Sequence, residues 1–153
     1  MKKIAFLVGF VFLMASLYPQ NVSDFDVQGN DDGTMTIMNY KGTAKDIVIP
    51  EKIFNLPVSR LNHAAFQNKG LTSVVIPKTV SKIGNDVFAQ NQLVSVTIPE
   101  SVIFIGNSAF EGNRLTSISL PGNLEYIGNS TFASNQLSSV TLICNYSRKR
   151  INN

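Results

Sequence analysis

Residues that usually support catalysis or metal binding are scarce in this chain. It has a single cysteine, Cys144, which excludes an internal disulfide and a cysteine-rich metal cluster. Four acidic residues lie close together at Asp24, Asp26, Asp31 and Asp32, but they lack the ligand spacing of a calcium loop and are interpreted as part of a solvated leader. The sequence therefore predicts no enzymatic activity, no catalytic residue, no metal site and no cofactor.

Charge is low as well, and most of the excess positive charge is at the two ends. The 13 basic and 10 acidic residues give a net charge of +3, and charged residues are 15% of the chain. Five basic residues belong to the ends: Lys2, Lys3, Arg148, Lys149 and Arg150. The remainder has eight basic and ten acidic residues, a net charge of −2. No basic stripe is present to follow phosphates, so we exclude nucleic acid as a partner.

The chain also lacks a hydrophobic run long enough to cross a bilayer comfortably. Its main apolar run, Ile4 to Leu17, has 14 residues, against the roughly 20 that a spanning helix needs. The run follows the basic start Met1-Lys2-Lys3, which is typical of a secretory signal, and we assign residues 1–19 to one. An uncleaved membrane anchor is the alternative, because no A-x-A cleavage triplet is present. We expect a secreted, cell-surface or periplasmic protein.

What the chain does have is a repeat with a period of 22 residues. Copies begin at Leu71, Leu93 and Leu115, and a fourth copy begins at Leu137 and is incomplete. Such a period predicts a solenoid in which each copy forms one coil. Each copy opens with an apolar pattern that predicts a short strand ended by proline. The inward positions of this strand are Leu71, Val74 and Ile76, then Leu93, Val96 and Ile98, then Leu115, Ile118 and Leu120, then Leu137, Val140 and Leu142.

The second half of each copy contains a second inward segment, a glycine and a phenylalanine. The segments pair Val80 with Ile83, Val102 with Ile105, and Leu124 with Ile127. The glycines Gly84, Gly106 and Gly128 are interpreted as permitting a backbone turn. Phe88, Phe110 and Phe132 are expected to stack as an aromatic spine.

Two columns of asparagine are interpreted as structural. Asn91, Asn113 and Asn135 are expected to turn inward and hydrogen-bond the backbone of their own and neighbouring coils. Asn85, Asn107 and Asn129 are expected to occupy turns with unusual backbone angles. The single histidine, His63, stands at the same offset in the first, variant copy, and is interpreted as a turn residue.

Together these positions give the pattern L-x-S-[VI]-x-[IL]-P-x-x-[VL]-x-x-I-G-N-x-x-F-x-x-N-x, which resembles the BspA-like, treponemal-type leucine-rich repeat. The resemblance covers about Asp32 to Leu142, since Ile49-Pro50, Leu61 and Phe66 fill the same positions in a variant first copy with extra loop residues around Phe54 to Val58. Proteins of this family are typically secreted or surface-attached and bind other proteins, so the resemblance implies the same here.

The predicted fold is an α/β, mainly β, leucine-rich-repeat solenoid: a right-handed coil with short parallel strands, helical turns, about four coils and an N-terminal hairpin cap. The predicted segments are a signal peptide over 1–19, a leader over 20–31, the cap and variant first repeat over 32–70, the repeats over 71–142 and a disordered basic tail over 143–153.

Outward strand positions form the candidate binding face. Strand alternation places short side chains there in two columns. These are Ser73, Ser95, Ser117 and Ser139, and then Val75, Thr97, Ser119 and Thr141. A flat, uncharged, largely hydroxyl strip suits many weak contacts with a protein or glycan of a cell surface or matrix, although serine and threonine are also ordinary exposed strand residues.

The C-terminal end departs from the repeat, because Ile143 stands where earlier copies have proline. The strand Leu137 to Ile143 is therefore a candidate open edge. Three explanations are consistent with this: the chain is a fragment of a longer array, the edge pairs end to end with another copy, or the basic tail folds over it. We favour the first and predict that the last coil is the least stable.

Two functions are consistent with the sequence. The first is an exported or cell-surface binding or adhesion module that contacts protein through its strand face. The second is a structural, self-assembling repeat fragment of a longer surface protein.

Overall fold

The structure, a computed structural model, describes residues 21–143 and shows a mainly β solenoid. The strands of the N-terminal part are β1 (Phe25–Gly29), β2 (Met35–Tyr40), β3 (Asp46–Val48), β4 (Lys52–Ile53) and β5 (Leu56–Leu61). The strands of the repeats are β6 (Ser73–Val75), β7 (Lys82–Ile83), β8 (Phe104–Ile105), β9 (Ser117–Leu120), β10 (Tyr126–Ile127) and β11 (Ser139–Leu142). The predicted signal peptide over 1–19 and the tail beyond Ile143 lie outside the described residues.

The strands form one large sheet and two small ones. The large sheet has the order β1-β2-β5-β7-β8-β10, with β4 added as an antiparallel neighbour of β5. Its repeats pair in parallel and without offset, so that Lys82 faces Phe104 and Ile83 faces Ile105. The small sheets are the parallel pairs β3–β6 and β9–β11. Parallel pairing at one repeat period is what a coil stacked directly on its predecessor requires.

The cap is a β-hairpin made by β1 and β2, with a register irregularity between Asp26 and Val27. The sequence assigned residues 20–31 to a leader, but β1 lies within that range, so strand pairing begins before Asp32. The predicted loop at Phe54 to Val58 is also different: Phe54 and Asn55, both with positive φ, form a tight turn between β4 and β5.

The prediction of helical turns was wrong for the described part of the chain. A single 3-10 turn, Val22–Asp24, is the only helical segment within residues 21–143. The repeats instead turn through left-handed residues, which recur two positions after each glycine: Asp86 (φ 55°), Ser108 (φ 52°) and Ser130 (φ 56°). Another left-handed residue precedes each inward asparagine, as Gln90 (φ 56°) precedes Asn91. These single residues change the chain direction without a helical turn.

The apolar skeleton is buried as predicted in the first two complete copies, except that Val96 is only partly buried. Leu71, Leu93, Val80 and Val102 are fully inaccessible, and Ile83 and Ile105 are as well. The aromatic spine is confirmed: Phe66 and Phe88 stack at 5.2 Å, Phe88 and Phe110 at 5.2 Å, and Phe110 and Phe132 at 5.5 Å between ring centroids. Tyr40 of β2 extends the spine into the cap at 5.7 Å from Phe66.

The three glycines are needed for a different reason from the one expected. None of them has positive φ. A methyl group on Gly106 would lie 2.6 Å from the backbone nitrogen of Asn85 and 2.6 Å from the carbonyl carbon of Gly84. The glycine column therefore permits the close approach of successive coils rather than a special backbone angle.

Candidate functional site

The predicted binding face is built on the first strand of each coil. In the last two coils its columns are in direct register, since Ser117 pairs with Ser139 and Ser119 pairs with Thr141. All four side chains are exposed, while their neighbour Ile118 is 3% exposed and packs into the core. Alternation along β9 therefore separates the apolar interior from a hydroxyl surface, whereas all four residues of β11 are exposed.

The face also reaches the N-terminal coil. There Asp46 lies opposite Ser73, and Val48 lies opposite Val75. One carboxylate oxygen of Asp46 accepts hydrogen bonds from the hydroxyls of Thr72 and Ser73, both at 2.7 Å. Asp46 and Val48 were not predicted to belong to this face. The match of Ile49-Pro50 to Ile76-Pro77 would have extended the two columns to them.

The ladder beneath this face is interrupted at the middle coil. Ser95 and Thr97 are exposed at the expected offsets, but residues 93–98 form no strand, and β6 pairs with β3 on the other side. The core positions of this segment still point inward, since Leu93 is inaccessible and Ile98 is 5% exposed. The face is thus two short sheets joined by an extended segment. We refer to the eight predicted residues as the hydroxyl face.

Side chains on the hydroxyl face are short and uncharged, and the inward asparagine column joins the coils that carry it. The amide of Asn113 donates to the carbonyls of Phe88 at 2.9 Å and Phe110 at 3.0 Å, and its oxygen accepts from the Leu93 amide at 3.0 Å. Asn91 and Asn135 make the corresponding bonds in their coils. This confirms the structural interpretation of the column, because each amide joins two coils.

The second asparagine column also joins coils, but not in the way predicted. The Asn85 side-chain oxygen accepts from the Asn107 amide at 2.9 Å, and the Asn107 oxygen accepts from the Asn129 amide at 2.8 Å. The unusual backbone angle falls on the following residue instead. His63 at this offset is exposed, and its Nδ1 lies 3.2 Å from the Asn85 carbonyl, consistent with a turn residue.

A second outward column, which sequence reasoning did not single out, runs along the large sheet. Its members in register are Arg60, Lys82, Phe104 and Tyr126. Phe104 and Tyr126 stack at 4.7 Å between ring centroids, and Arg60 forms an ion pair with Asp32 of the cap. Each member stands one residue before a core position of the repeat, namely Leu61, Ile83, Ile105 and Ile127, and this offset could have identified the column.

The described residues hold little other chemistry. The four leader aspartates do not form one cluster: Asp26 pairs with Lys41 at 2.6 Å, whereas Asp32 pairs with Arg60. Residues 21–143 contain no group of three His, Cys, Asp or Glu side chains placed to hold a metal ion. In that range there is also no helix with the length and hydrophobicity to cross a membrane.

Comparison with known proteins agrees with this architecture. The profile of the BspA type leucine rich repeat region matches residues 59–152 in six copies. The chain therefore belongs to the BspA-type leucine-rich repeat family, and proteins of this fold generally serve as protein-interaction modules. No curated protein matches the chain.

Solved structures show the same fold. A leucine-rich repeat protein from Bacteroides capillosus is 26% identical, with a TM-score of 0.70 over 81% of this chain and 97% of that one. The leucine rich repeat protein of T. pallidum is 19% identical, with a TM-score of 0.60 over 80% of this chain and 71% of that one. A Bacteroides ovatus leucine-rich repeat protein is 21% identical, with a TM-score of 0.59 over 82% of this chain and 41% of that one.

Proposed function

We propose that this chain is an exported binding module that contacts a partner protein at the cell surface through its hydroxyl face. The observation that carries the proposal is the in-register pairing of Ser117 with Ser139 and Ser119 with Thr141, all exposed, while Ile118 and Leu120 of the same strand β9 are buried. The family's general use as a protein-interaction module and the predicted signal over 1–19 also support it.

The chemistry of the face suits a protein partner. Short hydroxyl side chains leave the strands accessible, and each offers one donor and two acceptor positions. Such a surface makes many weak contacts, so the affinity per coil is low and the total grows with the number of coils engaged. We propose attachment to the membrane only if the N-terminal segment remains uncleaved.

The test compares two variants that make the same change at different places. Ser119→Arg puts a long cation in the middle of the hydroxyl face, and Gln28→Arg puts one on exposed β1 of the cap. Each protein is used to capture partners from cell-surface extracts, and the captured proteins are then measured individually for affinity. We expect Ser119→Arg to weaken binding at least tenfold, which is about 1.4 kcal/mol, and Gln28→Arg to leave it unchanged.

Equal binding by the wild type and Ser119→Arg would refute the assignment of the face. Specific capture of glycans but of no protein would refute the choice of partner.

A further inference from the structure

An aromatic side chain stands in solvent at the tip of the β4–β5 hairpin. Phe54 is 75% exposed, more than any other large hydrophobic side chain of residues 21–143, and Leu56 beside it is 40% exposed. A phenyl ring stabilises a fold by leaving water, so this ring contributes little to the stability of the hairpin. Single exposed apolar residues are common in soluble proteins, but this one also has an unusual backbone conformation.

The backbone of Phe54 lies in the left-handed region. Its φ is 52° and that of Asn55 is 65°, and a two-residue hairpin turn with positive φ at both central residues favours asparagine and glycine. A bulky residue is strained there. The other eight non-glycine residues with positive φ within residues 21–143 are asparagine, alanine, aspartate, glutamine or serine. Phe54 is therefore unfavourable for stability in both its backbone and its side chain, and such conflicts are typical of binding sites.

The hairpin is fixed to the core directly beneath this tip. Ile53 is 1% exposed and Val58 is inaccessible, so both strands of the hairpin are anchored. The carbonyl of Glu51 accepts a hydrogen bond from the Val58 amide at 2.9 Å and another from the Thr79 hydroxyl of the next coil at 3.4 Å. The tip is thus held in place before binding, which reduces the conformational entropy that is lost when a partner contacts it.

The hairpin also borders the hydroxyl face. Strand β3 runs beside β6 of that face, the Ile49 amide extends their pairing by donating to the Val75 carbonyl at 3.0 Å, and residues 49–51 alone separate β3 from β4. A protein that lies along the hydroxyl face therefore meets the hairpin where the first coil of the face ends. The inference rests on the proposed function for its protein partner, and it specifies how that partner is held.

Charge around the tip selects a protein rather than a lipid surface. Glu51 pairs with Lys78 at 3.7 Å, whereas Lys52 is exposed and forms no ion pair with any residue of 21–143. A lipid surface is bound by a cluster of basic residues and a broad apolar face, and the hairpin offers one unpaired cation and one ring. One ring beside one cation fits an apolar pocket with a carboxylate at its rim.

We propose that Phe54 inserts into an apolar pocket of the partner protein, with Leu56 against the edge of the pocket and Lys52 beside a carboxylate at its rim. Aromatic side chains that fill a desolvated pocket carry a large share of the binding energy in protein interfaces. The hairpin then supplies one strong anchor, and the hydroxyl face supplies the many weak contacts around it.

A photoreactive side chain at the tip identifies what binds there. The probe is the full chain with Phe54 replaced by p-benzoylphenylalanine, irradiated in cell-surface extracts. The control carries the same replacement at Tyr126, an exposed ring of the large sheet. We expect a protein that crosslinks through position 54 and not through position 126, with excess wild type suppressing the crosslink at least tenfold more than excess Phe54→Asn. Equal suppression, no such protein, or a crosslink to a second copy of this chain would overturn the proposal.

Affinity and stability should respond in opposite ways to changes at the tip. For the purified crosslinked protein, we expect Phe54→Asn to weaken binding at least tenfold and Lys52→Glu at least fivefold, while Phe54→Trp stays within threefold of the wild type. The melting temperature of Phe54→Asn should be unchanged or higher, because asparagine tolerates positive φ. A lower melting temperature would show that the ring stabilises the hairpin, and unchanged affinity would show that it does not touch the partner. Either result would overturn the proposal.

Two further measurements separate this anchor from the hydroxyl face and from lipid. A partner weakened by Ser119→Arg but indifferent to Phe54→Asn would overturn the anchor and leave the proposed function standing. A partner weakened by Phe54→Asn alone would support the anchor and refute the assignment of the hydroxyl face. We expect no cosedimentation with vesicles of equimolar phosphatidylcholine and phosphatidylserine, and binding to them that Phe54→Asn abolishes would overturn the choice of a protein partner.

Discussion

The two ends of the stack of coils differ in what covers them. The N-terminal cap covers the first coil, whereas no described residue covers the last one. At the cap, β1 covers β2, Tyr40 covers Phe66, and the ion pair of Asp26 with Lys41 lies on the outermost strand. At the other end, the only aromatic neighbour of Phe132 among residues 21–143 is Phe110, and Val140 and Leu142 are exposed. Apolar side chains occupy the core at both ends, but within residues 21–143 a further strand covers them only at the cap.

The comparison shows where burial comes from in a solenoid. Phe88 and Phe132 occupy the same offset of the repeat, yet Phe88 is inaccessible and Phe132 is only partly buried. The difference is the presence of a following coil, not the residue itself. Stability should therefore decline toward the last described coil in steps of one coil, because each coil is stabilised by its neighbours.

The largest expected effect comes from truncating the aromatic spine at its middle and at its end. Phe88 stacks on Phe66 and Phe110, both at 5.2 Å, so Phe88→Ala should lower the free energy of unfolding by about 3 to 5 kcal/mol. Within the described part of the chain Phe132 stacks on Phe110 alone, and Phe132→Ala should cost roughly 1 to 2 kcal/mol. Urea unfolding of both variants measures the difference. Equal costs would show that the last coil is as well packed as the middle ones.

The inward asparagine column tests the same decline in stability along the coils through its hydrogen bonds. Asn113→Asp keeps the shape but replaces two donors to Phe88 and Phe110 by a carboxylate, and it should cost roughly 2 to 3 kcal/mol at neutral pH. Asn135→Asp makes the same change where the side chain is partly exposed, and roughly 1 kcal/mol is expected. The measurement is again urea unfolding. A larger loss of unfolding free energy for Asn135→Asp than for Asn113→Asp would contradict the expected decline in stability toward the last coil.

The glycine column distinguishes the coils from the cap strand. A methyl group on Gly106 meets the backbone of the preceding coil, so Gly106→Ala should destabilise the protein by about 1 to 3 kcal/mol. Gly29 ends β1, and a methyl group added there would have no atom within 4 Å. Gly29→Ala should therefore change stability by less than about 0.5 kcal/mol. Thermal unfolding measures both. A harmless Gly106→Ala would mean that the coils can separate locally without cost.

Most of the inward architecture could be predicted from the sequence, because it depends on which side chains are apolar at fixed offsets. The spine, the inward asparagines and the buried leucines were all predicted from that periodicity. Interactions between backbones could not be predicted in this way. Gly106 is required by the distance between coils, and residues 93–98 lack a strand although their side-chain pattern matches that of β9. Neither the separation of two coils nor their hydrogen bonding is encoded in a pattern of apolar residues.

The candidate site was only partly predictable for a related reason. The outward positions of the last two coils are exposed, as strand alternation predicted, and their role in binding stays a prediction. Asp46, which accepts hydrogen bonds from Thr72 and Ser73, was not predicted because it lies in the variant first copy, where the period is broken. The exposure of Val140 and Leu142 likewise depends on whether another coil packs against them. Their offsets alone predicted burial.

The smallest expected effect is a pH response confined to the cap. Hydrogen bonds from Lys41 and Asn39 lower the pKa of Asp26, and a hydrogen bond from Thr34 lowers the pKa of Asp32. Carboxylates with lowered pKa in the folded state stabilise it above their unfolded pKa, near ~3.9, and this contribution is lost as pH falls through the folded pKa. The last described coil has no charged residue from Tyr126 to Ile143 and should not respond.

Hydrogen exchange of β1 and β11 at about pH 5 and at lower pH measures this contrast, after correction for the intrinsic exchange rates. Below about pH 4 the protection of β1 should fall relative to that of β11. Asp26→Asn should lower the protection of β1 at the higher pH and reduce its further loss in acid, because the ion pair with Lys41 is already absent. Asp31→Asn, at an exposed aspartate without an ion pair in the described chain, is the control. A parallel loss of protection at both ends would show that acid acts on the whole solenoid and not on the cap.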